Sequence, residues 1–298
     1  KKVFKSSFRI KDAFLWLNTD YNKAYIPEKQ KEFNLAKCEL PKWDEVKNSD
    51  LDISFNESKN NKAKNQLIEL GVPDGAWYVC VHVRGEKFYG ENENNEVGNS
   101  TRNASIDNYF ECFKVINAAG GYIIRLGDPC MEPLNYKTSM IIDYAHSPIR
   151  NDFLDLYLIK NCRFYIGTLS GPVEVARLFN KSIAITNIYH SSHWYPESEK
   201  CLGIMKKLKY EGKQLSIKET FNLYLTFDPI DFFDWGKLNP DLEYIENSPE
   251  EIKDLVLEML EKINVKKYSL SSLQLEFNSF QIAIDKCIVK KKWTSAFT

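Results

Sequence analysis

Polar side chains cluster where apolar runs of this chain end. Trp77–Val83 (WYVCVHV) is an unbroken apolar stretch that closes on His82, Val83 and Arg84, with Glu86 two residues further on. Strand alternation puts His82 and Arg84 on one face. A guanidinium suits a phosphate held through two parallel bonds. A carboxylate or imidazole beside it suits removal of a proton from a hydroxyl, so Glu86 is a candidate general base and His82 its alternative. Arg102-Asn103 follow in the next loop. A second apolar run ends Arg125-Leu126-Gly127-Asp128, and a third ends Asp143-Tyr144 with His146 just beyond.

Residues 163–187 (RFYIGTLSGPVEVARLFNKSIAITN) carry the sharpest signal. They read as a strand (Arg163–Gly167), a small-residue turn (Thr168–Pro172), a helix (Val173–Phe179) and a strand (Ser182–Thr186). A strand that runs straight into a helix through Thr, Ser and Gly leaves backbone N–H groups free at the positive end of a helix dipole. That is an anion site, suited to a phosphate or diphosphate. Pro172 at the helix start removes an N–H that would have lacked a partner anyway. The plain alternative is an ordinary βα turn. Thr168, Ser170 and Gly171 are therefore candidate phosphate ligands with Arg84 and Arg125, and Arg102, Asn103, Gly127, Asp128 and Asp143 are further candidates for binding the same ligand. Asp152, three residues from Asp155 on one helix face, either charges a helix start or meets a nucleoside. Glu174 either favours the next helix dipole or touches a ribose hydroxyl.

Other polar features are weaker. His190 and His193, with Trp194, lack a further acidic or Cys ligand for a metal. Asp231–Asp234 (DFFD) and Asp50–Asp52 (DLD) follow no convincing strand, so no essential metal and no resident cofactor is expected. GxxxxGK[ST], GxGxxG and GxSxG are all absent, which disfavours P-loop NTPases, typical dinucleotide enzymes and α/β-hydrolases.

The elements that position these residues alternate. A short helix over Asn61–Leu70 stops at Gly71 and Pro73. Strands are expected over Trp77–Val83, Tyr122–Leu126, Met140–Tyr144, Arg163–Gly167 and Ser182–Thr186. Helices are expected from a Ser105 cap to about Ala118 and over Asp152–Lys160. Such alternation predicts an α/β fold, a Rossmann-like doubly wound parallel sheet. Its loops Gly85–Asn103, Gly127–Asn135, Ala145–Asn151 and Thr168–Pro172 then share the carboxyl edge, where ligands bind in this architecture. Ser248-Pro249-Glu250-Glu251 reads as a capping box opening a helix to about Ile263.

Bulk composition excludes several classes. Of 298 residues, 43% are hydrophobic and 27% charged, as in an ordinary globular protein, and 16 Tyr and 18 Phe can fill a sizeable core. A net charge of −1 argues against a nucleic-acid partner. No apolar run approaches the roughly 20 residues of a membrane span. The seven cysteines are scattered and form no CxxC, so free thiols in a reducing cytoplasm are expected. The chain opens mid-pattern at Lys1, which raises the expectation of residues before it.

The ordered set VCVHVRGEKFY (Val79–Tyr89), RNASIDNYF (Arg102–Phe110), GGYIIRLGD (Gly120–Asp128), IIDYAHS (Ile141–Ser147), NDFLDLYLIKNCRFYIGTLSG (Asn151–Gly171) and LFNKSIAITN (Leu178–Asn187) resembles a family of bacterial glycosyltransferases with a GT-B-like carboxyl-terminal domain. More distantly, HVR and the small-residue turn are similar to features of O-fucosyltransferase-like and heptosyltransferase-like enzymes. The resemblance covers about Asn61–Ile263. It implies a nucleotide-sugar donor in a Rossmann-like domain over residues 76–265, and a glycan or protein acceptor across a cleft. It further implies a leaving diphosphate neutralised by arginines and helix N-termini without metal, and a role in polysaccharide biosynthesis in the cytoplasm or at the inner face of the membrane. Residues 1–75 are too short and irregular for a full amino-terminal Rossmann domain, which implies a reduced or trimmed acceptor-side region. Residues 266–298 form a tail. A non-catalytic nucleotide- or glycan-binding module in a larger assembly is the alternative.

Overall fold

The computed structural model describes residues 23–26, 31–34, 54–85, 101–189, 201–226, 241–265 and 269–279. The chain divides into two units, Lys1–Phe55 and Asn56–Thr298. Within the first, β1 (Lys23–Ile26) and β2 (Lys31–Asn34) form an antiparallel pair.

The second unit is built on apolar runs buried from both sides. Tyr78–His82 forms β3, buried along its whole length. Tyr78 and Cys80 belong to one apolar cluster, Val79 and Val81 to another, so successive side chains feed opposite faces. Each fully buried Val or Ile contributes roughly 1.5–3 kcal/mol, which is why such a strand carries so few polar residues. β4 (Tyr122–Arg125), β6 (Tyr165–Gly167) and β7 (Ile183–Ile188) also feed both clusters, with Tyr122 half-buried and Thr186 and Asn187 as buried polar residues. With β5 (Ile141–Ile142) and β8 (Cys201–Met205) they make a six-stranded, all-parallel sheet in the order β5-β4-β3-β6-β7-β8.

Helices cover both faces. Residues of α1 (Glu57–Glu69), α3 (Asp152–Asn161) and α4 (Gly171–Leu178) join the first cluster, through Ala63, Leu154, Leu158, Val173 and Ala176. Residues of α2 (Phe110–Ala118) and α6 (Pro249–Asn264) join the second, through Phe113, Ile116, Ile252 and Met259. The sheet is therefore doubly wound. A smaller antiparallel sheet of β9 (Lys207–Tyr210), β10 (Lys213–Gln214) and β11 (Leu242–Ile245), in the order β10-β9-β11, lies in the same unit with α5 (Ile217–Thr226).

Several boundaries differ from expectation. The helix expected from Asn61 starts at Glu57, because the Asn56 side chain accepts the Ser58 N–H and caps it earlier. The helix expected from Ser105 is split: Ile106–Tyr109 is a 3-10 turn and Phe110–Ala118 is α-helical. The strand expected over Met140–Tyr144 shrinks to two residues, because Asp143 turns the chain into a 3-10 helix over Tyr144–His146. The capping box is present: the Glu251 N–H donates to Ser248 Oγ and the Ser248 N–H to Glu251 Oε2. Cys80, Cys112, Cys130, Cys162 and Cys201 are free thiols.

Candidate functional site

The chain runs outward from β3 through β4 to β5, then returns to lay β6 on the other side of β3. This reversal makes the carboxyl edge between β3 and β6 the switch point, where the two crossovers diverge and leave a crevice. His82 pairs in register with Gly167 there. The two strands approach so closely that a Cβ on Gly167 would sit 2.1 Å from the His82 carbonyl oxygen. Glycine is the residue that permits this contact.

The turn beyond β6 is stitched onto the end of β3. The Thr168 N–H donates to the His82 carbonyl at 3.2 Å. The Arg84 N–H donates to Thr168 Oγ1 at 3.0 Å. Ser170 is the N-cap residue of α4, yet its side chain does not cap that helix. Its hydroxyl instead donates to the Thr168 carbonyl at 3.2 Å and lies 3.0 Å from His82 Nδ1. Ser170 is thus drawn off the helix start, and the positive end of α4 keeps no side-chain acceptor. With the hydroxyl hydrogen on Thr168, the His82 proton resides on Nδ1 and Nε2 offers a lone pair.

His82, Arg84, Arg125 and Thr168 are all buried. Burial, reinforced by the positive charges of Arg125 and Arg84, pushes the His82 imidazole down to about 4. It is therefore neutral at physiological pH.

Arg125 is committed within the protein. Nη1 lies 2.8 Å from Asp143 Oδ1, and Nη2 donates to the Glu132 carbonyl at 3.1 Å. Asp143 Oδ2 accepts the Leu134 N–H at 2.9 Å and contacts His146 Nδ1 at 3.0 Å, while His146 Nε2 lies 2.9 Å from the Met131 carbonyl. The cluster fastens the β4–β5 loop along the carboxyl edge. Gly127, at φ +155, opens that loop, and a Cβ on it would strike Met131 Sδ. Asp128 accepts the Cys130 N–H, which holds its carboxyl below the usual range.

The remaining candidates divide. Arg102 and Asn103 reach the site through their chain: the Ala104 N–H donates to the Arg84 carbonyl at 3.0 Å. Asp152 is exposed in the first turn of α3, whose cap is Asn151. Glu174 is exposed and bonded to Arg177. Glu86, His190, His193, Trp194, Asp50–Asp52 and Asp231–Asp234 lie outside the described residues. Among the described residues, no three His, Cys, Asp or Glu side chains cluster as a metal site, and no helix is long and apolar enough to cross a membrane.

A polar network next to the site escapes sequence reasoning. Tyr109 Oη bonds Thr186 Oγ1 and accepts from Asn187 Nδ2. Asn187 and Asn247 exchange backbone-to-side-chain bonds at 2.6 and 2.9 Å. Lys206, 4% exposed, donates from Nζ to the Asn103 carbonyl at 2.7 Å. In the sequence Lys206 stands in MKKLKY, where it looks like any solvated charge run.

No family model matches the chain, and no curated protein matches it in sequence. Similar solved structures include ADP-heptose lipopolysaccharide heptosyltransferase II of E. coli, at 12% identity and a TM-score of 0.44, covering 71% of this chain and 54% of that one. Another is a glycosyl transferase of family 9 from Veillonella parvula DSM 2008, at 11% identity and a TM-score of 0.39, covering 69% and 53%. A third is the dodecameric iron-containing heptosyltransferase TibC in complex with ADP-D-β-D-heptose, at 9% identity and a TM-score of 0.38, covering 66% and 49%. The matched region spans about half the length of each of these chains.

Proposed function

We propose that this chain is a glycosyltransferase that moves a sugar from a nucleotide-diphosphate donor to a surface glycan or protein acceptor, using cationic side chains rather than a metal. The observation that carries the reading is the switch-point crevice itself. Buried Arg84 follows β3 and is bonded through its N–H to Thr168 in the turn that leads into α4, and the Ser170 side chain does not cap that helix. A buried cation beside an uncapped helix start is a receptor for an anion of two or more charges. The ordered motifs that resemble GT-B-like glycosyltransferases supply the reaction class.

In this reading the bond from the sugar's anomeric carbon to the diphosphate breaks, and the electron pair leaves with the diphosphate. Arg84, the α4 start and the Thr168–Gly171 turn stabilise that charge as it develops. The acceptor hydroxyl forms the new bond and gives up its proton. Glu86 is the candidate base for that proton, and His82 Nε2 is the alternative. Arg125 and Asp143 hold the Gly127–Leu134 loop along the same edge. Asp152 and Glu174 are the nucleoside candidates.

The test is thermal-shift binding of UDP, GDP, CMP, ADP and TDP, with and without magnesium, to wild type and Arg84→Ala. A ligand that binds only the folded state raises the midpoint by mass action. Selective stabilisation that survives magnesium removal and is lost in Arg84→Ala is the expected result. Turnover is then scored with the corresponding sugar nucleotides. Stabilisation by none of the nucleotides, or a full shift retained in Arg84→Ala, rejects the reading.

A further inference from the structure

Lys206 is the most deeply buried lysine of the described residues, and one hydrogen bond accompanies its burial. It follows β8 directly, where its N–H donates to the Ile188 carbonyl at 2.8 Å. That places it on the carboxyl edge of the sheet. Its Nζ has three hydrogens and one acceptor, the Asn103 carbonyl at 2.7 Å. No described carboxylate forms an ion pair with it. The acid that acts on it is Glu246, whose Oε2 already accepts the Ser105 N–H and Asn108 Nδ2.

On the segment it bonds, two side-chain polar atoms are buried without a partner: Arg102 Nε and Asn103 Oδ1. The Arg84 backbone is one peptide group away. The Asn103–Ala104 peptide donates its N–H to the Arg84 carbonyl at 3.0 Å and accepts Lys206 Nζ on its own carbonyl at 2.7 Å. An isolated buried cation is costly, and so is a buried polar atom with no partner. A bound anion supplies acceptors for the two donors, Lys206 Nζ and Arg102 Nε.

We propose that Lys206, with Arg102, forms a second cationic pole beside Arg84, so that the crevice holds both phosphoryl groups of a nucleoside diphosphate, one at each pole. The assignment rests on the reading that this crevice binds a nucleotide-linked donor. Asn103 Oδ1 takes a hydroxyl hydrogen from the same ligand.

The experiment is calorimetric titration of the full chain with UDP, GDP and ADP, comparing wild type, Lys206→Met and Lys206→Arg. Lys206→Met keeps the length of the stem and removes the charge. It is expected to weaken the diphosphate that wild type binds by about tenfold or more, the scale of one charge-assisted contact. Lys206→Arg is expected to keep most of the affinity. Wild-type affinity in Lys206→Met overturns the proposal and leaves the donor reading standing. So does an Arg variant as weak as the Met variant, because charge is then not what the site uses. Wild type that binds none of the three diphosphates fails the donor reading, and this assignment with it. If Lys206→Met lacks a cooperative melt, Arg102→Gln carries the test: a matching loss supports the second pole, and unchanged affinity overturns it.

Discussion

His82 ties the chemistry of the site to the stability of the fold. Its folded value of about 4 lies below the ordinary imidazole value of 6.5. Between those two values the unfolded chain binds a proton that the folded chain refuses. Stability therefore falls as pH drops from about 6.5 towards 4, by an amount on the order of 3 kcal/mol, and changes no further from this group below that. Urea denaturation of wild type at pH 7 and pH 4.5 checks this. His82→Gln is expected to flatten that difference, whatever its absolute stability, and an unchanged pH difference in the variant sinks the claim. Asp143 makes a second residue-scale case, because it neutralises a guanidinium that is 4% exposed. Asp143→Ala strands that charge and is expected to cost about 3 kcal/mol or more, much of it recovered in Arg125→Met/Asp143→Leu. Denaturant midpoints of the three chains decide it. His82 and Arg84 are legible in the sequence because strand alternation and a following turn put both at one edge. Lys206 is not, because what distinguishes it from Lys207 is burial by residues about 100 positions away, and no local pattern encodes that.

At the scale of elements, the turn between β6 and α4 works because two glycines do different jobs. Gly167 admits the His82 backbone, and a Cβ there would overlap its carbonyl. Gly171 meets nothing within 4 Å of its own added Cβ. Gly167→Ala must move β3 or β6 and is expected to lose about 1–3 kcal/mol of stability. Gly171→Ala is expected to stay within about 0.5 kcal/mol of wild type. Equal melting midpoints for the two variants contradict this account of the turn. The capping box of α6 is a second element-scale device. Ser248→Ala removes the acceptor for the Glu251 N–H and is expected to cost about 1 kcal/mol by thermal melting. Strands β3, β4, β6 and β7 are legible because burial on both faces leaves continuous apolar runs. The elements from β8 to β11 are not. Lys206, Lys207, Lys209 and Lys213 interrupt their pattern, and the strands are held by cross-strand pairing rather than by their own periodicity.

The order of strands in the whole sheet decides where the molecule can bind a ligand, and that order is a property of pairing between distant segments. Alternating strands and helices announce a doubly wound sheet, but not that β6 returns to the flank of β3. The return alone makes His82, Arg84 and Thr168 neighbours. The two apolar clusters that hold this sheet are drawn from residues 63–277. The unit Asn56–Thr298 thus contains the core, the switch point and both proposed cationic poles. A fragment spanning 56–298 is therefore expected to melt in one cooperative transition and to keep the pH dependence set by His82. It is also expected to keep any nucleotide-induced rise in midpoint that the full chain shows. Equal nucleotide-induced shifts in the fragment and the full chain are the outcome that keeps the whole proposed binding site within this unit. A fragment that fails to melt cooperatively shows instead that the core needs those residues, and the division into two units then does not describe how the chain folds.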